Sequence, residues 1–502
     1  MNYSDSERIE TYLNNLGHKK VQDEPKADLV IFNSCSVKQR AEDKVIGALE
    51  KLIIRKQKNP NLLTALTGCM VRKSSTKANE KEDRDHFIKI LKHLDIAFRI
   101  EDLPRLGKLI QEAQKYRGIS TTVSTHSTFP TKTTAPLSTS TKIPKEELES
   151  YFHISPAHSS TSQVCIPVST GCDKFCTYCI VPYARGREVS RDPDQILKEA
   201  TEAVENGAIE ITLLGQTVDS YGLSNIDHKN KLFDYDKIDA GTQDPPFVQL
   251  LQSLDKLHSK GLRRLRFTSP HPKDVSPELI ASYATLKTLM PHIHLPIQSG
   301  DNNVLKRMNR PYTVERYREI VTALRETKPD IAITTDMIIG FCGETEEEFQ
   351  NSCDLYEELD FDFCYSSQYS NRKGTYADKN LPDDIPQKNK SERWHRFNEL
   401  IMTNAQKKYE DLVGQEVEVF VDEAVQPEVR TEQSYALIPT NKTFQPTESS
   451  DSTPTIYRGQ TPHAKVIQFS VSESKNSKSL LGTLQKVLIT KTGKCVALGE
   501  LV

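Results

Sequence analysis

The sequence predicts an α/β protein in three parts: an N-terminal α/β unit, an open barrel of six β/α units, and a small β-barrel at the C-terminal end. Three observations predict it. Strand-like and helix-like stretches alternate between residues 164 and 369; a Ser/Thr-rich stretch divides that region from what precedes it; and from Val413 onward short alternating strands replace long helices.

The N-terminal unit, residues 1–117, opens with an amphipathic stretch from Ser6 to Leu16. Asp28 to Phe32 reads as a buried strand ending at Asn33-Ser-Cys35, a helix is expected from Gln39 to Arg55, and a second strand from Leu62 to Thr67 ends at Gly68-Cys69. Each strand delivers a cysteine at its C-terminal end, where ligands collect in parallel α/β sheets, so Cys35 and Cys69 are expected to converge on one site. Ser120 to Lys142 carries 14 Ser or Thr among 23 residues and too little apolar surface to order itself. A linker is expected over 118–160.

Residues 161–412 are the expected barrel, a partial TIM barrel. Strands fall near 164–169, 209–214, 262–268, 292–297, 331–339 and 361–369, with helices at 193–206, 247–259, 276–289, 313–327 and 344–359 between them. Right-handed crossovers curl such units so that functional groups gather at the strands' C-terminal ends. Unusual residues follow five strands in turn: the cysteine loop from Cys172, Gly215-Gln216, Ser269-Pro-His271, Gln298-Ser-Gly300 and Gly340-Phe-Cys-Gly-Glu344. Together they describe a lined mouth. A polar stretch near 223–246 reads as a loop insertion.

Over 413–502, strands at Glu416–Val421, Ala464–Phe469 and Leu484–Ile489 suggest a small barrel of the oligonucleotide-binding kind. Val413 to Asp451 holds 8 acidic and 2 basic residues, whereas Arg458 to Val502 holds 7 basic and 2 acidic, so the second half offers a face for phosphates.

At 502 residues the chain accommodates about three domains. A net charge of -3 excludes the class of strongly basic nucleic-acid binders, leaving local patches to do any such binding. Ten cysteines without a dense framework, no signal-type apolar region behind Met1 and no apolar run of membrane-span length lead to the expectation of a reducing, soluble, cytoplasmic setting with no membrane partner.

The most informative motif is Cys172, Cys176 and Cys179, spaced CxxxCxxC. Three thiolates hold three corners of a cubane of four irons and four sulfurs, leaving the fourth iron open. A structural zinc site is the alternative; it wants a second hook, and Cys165 upstream lies in an apolar strand. An open iron can chelate the amino and carboxylate groups of S-adenosylmethionine, with the protein supplying binding and exclusion of water.

Ser169-Thr-Gly-Cys-Asp-Lys-Phe-Cys-Thr-Tyr-Cys-Ile-Val-Pro-Tyr-Ala-Arg-Gly-Arg-Glu-Val-Ser-Arg191 resembles the signature of radical-SAM methylthiotransferases, and more narrowly of the MiaB-type tRNA enzymes. Further matches are Gly215 to Gly222, His294 to Gly300, Leu305 to Arg310 and Thr335 to Thr345, with Cys342 where the family has proline. The resemblance covers the chain apart from its two polar stretches, and the C-terminal module is similar to the RNA-binding TRAM domain.

The resemblance implies two 4Fe-4S clusters and S-adenosylmethionine. Cys172, Cys176 and Cys179 would hold the cluster that cleaves S-adenosylmethionine, with Gln298, Asp336 and Gly340 binding the cofactor; Cys35 and Cys69 would hold an auxiliary cluster carrying the sulfur to be donated. The family's first auxiliary cysteine belongs just upstream of Met1-Asn-Tyr-Ser-Asp-Ser-Glu7, so the expectation is an auxiliary site with two of its three thiolates. Cys165, Cys342, Cys353, Cys364 and Cys495 are expected to be buried thiols. Phe175, Tyr178 and Tyr183 are candidates to line a base pocket, and Arg185 and Arg187 either to contact phosphate or carboxylate or to form ordinary ion pairs. The implied reaction is methylthiolation of carbon 2 of isopentenyl-adenosine beside the tRNA anticodon, by a monomer whose electron donor and sulfur source the sequence does not identify. The alternatives are the same chemistry on threonylcarbamoyl-adenosine or a ribosomal protein, or an RNA-binding relic.

Overall fold

A computed structural model of the chain describes residues 1–21, 26–35, 39–78, 85–119, 151–158, 160–425, 455–471 and 479–502. Most of the expected linker, and the acidic stretch after Val425, lie outside the described residues.

The N-terminal unit contains a four-stranded sheet in the order β1-β2-β4-β3: β1 (Leu29–Ser34), β2 (Leu63–Gly68), β3 (Ser75–Thr76) and β4 (Ile96–Ala97). β1 and β2 run parallel, pairing Leu29 with Leu63 through Ser34 with Gly68. β2 is buried along its whole length, as its apolar run requires. β1, expected to be buried, is only half covered because it forms the edge of the sheet. The helix Asn2–Asn15 and the helix Leu106–Arg117 cover this sheet through Ile9, Leu109 and Ile110. Tyr151 and Phe152, within the expected linker, are buried in the same core.

The barrel strands are β5 (Gln163–Pro167), β6 (Ser169–Thr170), β7 (Val189–Ser190), β8 (Glu210–Leu214), β9 (Arg264–Phe267), β10 (His292–His294), β11 (Ala332–Ile339) and β12 (Phe363–Gln368). β5-β8-β9 and β10-β11-β12 form two parallel three-stranded sheets, joined by backbone hydrogen bonds from Leu265 to Thr288 and from Met290 to Leu265. All six expected strands are present. The helices between them start where the sequence supplies caps: Asp192 accepts from the amides of Asp194 and Gln195, and Thr345 with Glu348 forms a reciprocal capping box.

Strand alternation sorts the side chains. Val164, Ile166, Ile211, Leu213, Leu265, Ile293, Leu295, Ile333 and Met337 pack outward against Ile196, Phe247, Leu251, Tyr317, Leu324 and Phe349 of the helices. Their strand neighbours, including Glu210, Arg264, Arg266, His292, His294, Thr334 and Asp336, therefore face the barrel interior. This lumen is polar.

The segment 223–246, expected as a loop, contains two short helices, Asn225–Asn230 and Tyr235–Asp239. Asp227 anchors it by accepting from the Ser190 amide and hydroxyl, and Tyr235 stacks on His228. Local caps and one buried carboxylate order what composition alone marks as polar.

At the C-terminal end β13 (Glu416–Val425), β14 (Thr455–Gln460), β15 (Val466–Val471), β16 (Leu484–Thr492) and β17 (Ala497–Leu501) close into a barrel in the order β13-β14-β15-β17-β16. β14 and β17 complete the three expected strands. This barrel seals the N-terminal end of the lumen: Arg264 donates to the Gln460 carbonyl at 2.9 Å and to Glu418 at 2.8 Å, and Arg266 donates to the carbonyls of Thr461 and Pro462. Lys465 pairs with Asp362 at 2.7 Å. The opposite end remains as the mouth.

Candidate functional site at the barrel mouth

The cysteine loop is held in place by protein contacts. β6 and β7 pair antiparallel, Ser169 with Ser190 and Thr170 with Val189, and tie its two ends together. Gly171 has φ 77°, and a Cβ there would lie 2.1 Å from the Arg187 carbonyl oxygen, so no side chain fits. The middle is pinned by the amide and hydroxyl of Thr177 donating to the carbonyls of Met308 and Arg307, and by Asn309 donating to the Phe175 carbonyl at 3.0 Å.

Three donors face two of the sulfurs. The Lys174 amide lies 3.5 Å from Cys172 Sγ, the Thr217 hydroxyl 3.9 Å from the same atom, and Arg310 Nη1 3.4 Å from Cys176 Sγ. Burial raises the Cys172 thiol to about 11. It raises Cys179 further, with added repulsion from Cys176, Cys172 and Cys69. Such thiols keep their protons until iron displaces them. Among the described residues no three His, Cys, Asp or Glu side chains surround a single point as a one-ion site requires. A cubane instead takes each thiolate on a different iron, and the sulfur-directed donors suit its charge. The donors aimed at Cys172 and Cys176 fit the negative charge of a thiolate-held cluster.

Behind Cys172 lies a buried polar layer that sequence reasoning missed. Glu188 accepts from Ser220 at 2.6 Å and from Thr217 at 3.2 Å, and burial raises its carboxyl to about 7. Asp219 accepts twice from the His271 amide, while burial keeps the His271 ring neutral by lowering its proton affinity. Lys174 pairs with Asp274. Most of them lie within motifs quoted above, Lys174 and Glu188 in the cysteine-loop signature, Thr217, Asp219 and Ser220 in Gly215 to Gly222, and His271 after the third strand, but only the fold brings them together into one layer. Arg310 was visible only as part of a motif.

The other side of the mouth is built on β10 and β11. Gln298 has φ 77°, its amide donates to the Asp336 carbonyl at 2.9 Å, and its own carbonyl accepts from Ile338. Ser269, Phe175 and Asn309 are left-handed as well, and backbone held in that region clusters at functional sites. Gly340 lies under Lys390, where a Cβ would come 2.6 Å from Cγ, and its amide is taken by Glu344 at 2.8 Å. The Asp336 carboxyl turns into the lumen, 3.3 Å from His294 Nε2. Gln298, Asp336 and Gly340 thus share the end of one sheet, with different atoms available.

Cys35 and Cys69 follow directly on the paired ends Ser34 and Gly68, and the Cys69 amide donates to the Ser34 carbonyl. Cys35 is exposed and Cys69 buried. Cys69 is close enough to Cys179 and Arg185 for its charge to act on both. Beside this pair, Thr67 Oγ1 and Asn33 Oδ1 are buried without a hydrogen-bond partner among the described residues.

Phe175 and Tyr183 are exposed at the mouth, whereas Tyr178 packs edge-on against Phe341. Arg187 lies over the Phe175 ring and pairs with Asp173 at 2.8 Å. Of the two roles open to Arg185, a ligand contact or an ordinary ion pair, the structure shows the second, a buried pair with Asp5 2.6 Å away. Cys342, Cys353 and Cys364 are buried; Cys165 and Cys495, expected buried as well, are only partly so, Cys165 because it sits on the lumen face of β5 and Cys495 beside the Met402 sulfur.

A family profile described as the Radical SAM superfamily matches residues 166–356, and one described as uncharacterized protein family UPF0004 matches residues 1–89. Curated relatives carry the name tRNA-2-methylthio-N(6)-dimethylallyladenosine synthase. That of Caldicellulosiruptor saccharolyticus is 36% identical over 84% of this chain and 80% of its own length. That of a Thermoanaerobacter species is 35% identical over 100% and 90%, and that of Protochlamydia amoebophila 38% identical over 84% and 83%. Among solved structures, a radical S-adenosylmethionine methyltransferase of Kitasatospora setae superposes with a TM-score of 0.44 at 14% identity, over 71% of this chain and 64% of that one. By identity and coverage of its curated relatives, the chain belongs to the tRNA-2-methylthio-N(6)-dimethylallyladenosine synthase family of radical SAM enzymes.

Proposed function

We propose that the protein attaches a methylthio group to carbon 2 of N6-dimethylallyl-adenosine beside a tRNA anticodon, by a radical mechanism. The observation that carries the reading is the rigid loop that presents Cys172, Cys176 and Cys179 at the barrel mouth, with hydrogen-bond donors on two sulfurs and Cys69 alongside. When bound, a 4Fe-4S cluster on these thiolates and S-adenosylmethionine supply the carbon radical. Arg310 offsets the negative charge on Cys176, and the Lys174 amide and Thr217 hydroxyl do the same for Cys172. The left-handed turn at Gln298 and the crowded Gly340 shape the opposite wall for the cofactor.

Cys35 and Cys69 would contribute thiolates to an auxiliary cluster, which would supply the donated sulfur. Phe175 and Tyr183 offer exposed rings to an unstacked anticodon loop, and the lysines of β16 and its flank, Lys486, Lys491 and Lys494, offer a TRAM-like surface to its phosphates. No helix among the described residues is long and apolar enough to cross a membrane. Reduced thiols and a tRNA substrate suit a cytoplasmic enzyme.

Mass spectrometry of nucleosides from a deletion strain tests the reading. Dimethylallyl-adenosine should accumulate in place of its methylthio derivative, and restoring the gene should reverse this; an unchanged methylthio level rules the function out.

A further inference from the structure

The lumen below the mouth holds a hydrogen-bond chain that ends on the carboxylate expected to bind the cofactor. β10 and β11 pair in parallel, His292 opposite Ala332 and His294 opposite Thr334, so His292, His294, Thr334 and Asp336 line one face of the sheet. His292 Nε2 lies 3.0 Å from Thr334 Oγ1, that oxygen lies 3.0 Å from His294 Nδ1, and His294 Nε2 lies 3.3 Å from Asp336 Oδ2. Tyr365 meets the His294 ring edge-on, with centroids 5.7 Å apart, and limits its rotation.

These contacts fix the protons. A carboxylate only accepts, so His294 carries a proton on Nε2. In the neutral ring Nδ1 then accepts from the Thr334 hydroxyl, whose oxygen accepts from His292 Nε2. Burial, reinforced by the cations Arg266 and Lys465 and by His294 and His463, keeps His292 itself neutral. One tautomer of each ring satisfies all three contacts. It aims a donor at Asp336 Oδ2 and leaves Oδ1 with no hydrogen bond among the described residues, on a side chain 38% exposed. Holding an unsupported carboxylate in one orientation costs side-chain entropy at the moment of binding; a donor already locked on one oxygen moves that cost to folding.

We propose that His294, its tautomer set by Thr334 and His292, is a positioning residue for S-adenosylmethionine: it holds Asp336 by Oδ2 so that Oδ1 is presented to a hydroxyl or amino hydrogen of the cofactor. Thr334 and His292 act through His294, and His294 acts through Asp336. The inference deepens the cofactor role of Asp336 and rests on it.

The test uses the full-length, iron-reconstituted protein with its cluster oxidised, so that S-adenosylmethionine binds without being cleaved. Dissociation constants are measured by equilibrium dialysis, alongside iron content. Asp336→Ala should weaken binding about tenfold, the size of a hydrogen bond to a charged group. His294→Leu and Thr334→Val should each weaken it about fivefold, the first by removing the donor and the second by freeing the ring to turn a lone pair toward Asp336. His294→Gln, whose amide nitrogen falls near Nε2, and Thr334→Ser, which keeps the hydroxyl, should stay within about twofold of wild type. In the Asp336→Ala background, Thr334→Val should add nothing, because residues that act through one another are not additive. Iron content should be that of wild type throughout.

Wild-type affinity in Thr334→Val, or a loss in the Asp336→Ala background as large as in the wild type, overturns the positioning role. Loss of iron from Thr334→Val overturns it as well, since the chain then supports the cysteine loop and not the carboxylate. Valine fills the space of Thr334, so this variant decides the matter even where His294→Leu does not fold. The two readings fail separately. Unchanged affinity in Asp336→Ala removes the cofactor role of Asp336 and the positioning with it, whereas a tenfold loss there beside wild-type affinity in Thr334→Val removes the positioning alone.

Discussion

Arg185 and Asp5 form an ion pair 2.6 Å long across the boundary between the N-terminal unit and the barrel, with side chains 2% and 0% exposed. Asp5 also accepts from the Tyr151 hydroxyl at 2.5 Å, and three helical residues on, Arg8 reaches Glu199 of the barrel at 3.3 Å. Removing one partner strands a buried charge, which costs about 3–5 kcal/mol. Asp5→Asn should therefore lower the free energy of unfolding by roughly 3 kcal/mol. Denaturant titration checks it, and the double variant Asp5→Leu/Arg185→Met should lose less than the sum of its parts.

Replacing Cys172, Cys176 or Cys179 singly by Ala should abolish S-adenosylmethionine cleavage and most of the iron attributable to that cluster. Cys353→Ala, in the core between helix and sheet, should keep the iron and lose only about 1 kcal/mol of stability. Iron and sulfide assays with the visible absorption spectrum separate the two outcomes.

Arg310 places a cation 3.4 Å from Cys176 Sγ. Arg310→Met removes positive charge beside the thiolates and disfavours the added electron, so the cluster potential should fall. A shift of about 60 mV corresponds to a tenfold change for one electron. Redox titration followed by electron paramagnetic resonance measures it; an unchanged potential denies Arg310 this role.

Glu344 holds the Gly340 amide and is bonded by Arg393, yet burial raises its carboxyl to about 7. Its folded value lies above the unfolded one, so the stability it contributes is complete below about pH 4.5 and declines as pH rises toward 7, because the unfolded chain releases the proton first. Glu344→Gln should flatten the pH dependence of unfolding between pH 4.5 and 7. A slope identical to wild type counts against the shift.

Arg264, 1% exposed, joins Glu210 of β8 to Gln460 and Glu418 of the small barrel. Arg264→Ala should loosen that barrel and weaken binding to an anticodon stem-loop, while S-adenosylmethionine cleavage at the far end of the lumen persists. Limited proteolysis with parallel cleavage and anisotropy assays reads both effects.

The sequence by itself determined the alternating β/α order, the small terminal barrel and the cysteine loop. Those signals are local: a period of two or 3.6 in apolar residues, and a fixed spacing of thiols, need no knowledge of distant contacts. It also determined that the mouth residues gather, since strand ends in a β/α barrel share one face. Only the tertiary structure decided that β1 is an edge strand, that the 223–246 segment folds on Asp227, and that Arg185 is spent on Asp5 rather than on a ligand. It alone placed Arg310 on Cys176 and turned the Asp336 carboxyl to His294 in the lumen. The physical reason is the same in each case: ion pairs and hydrogen bonds between residues tens to hundreds of positions apart depend on which strands become neighbours and which way each side chain faces.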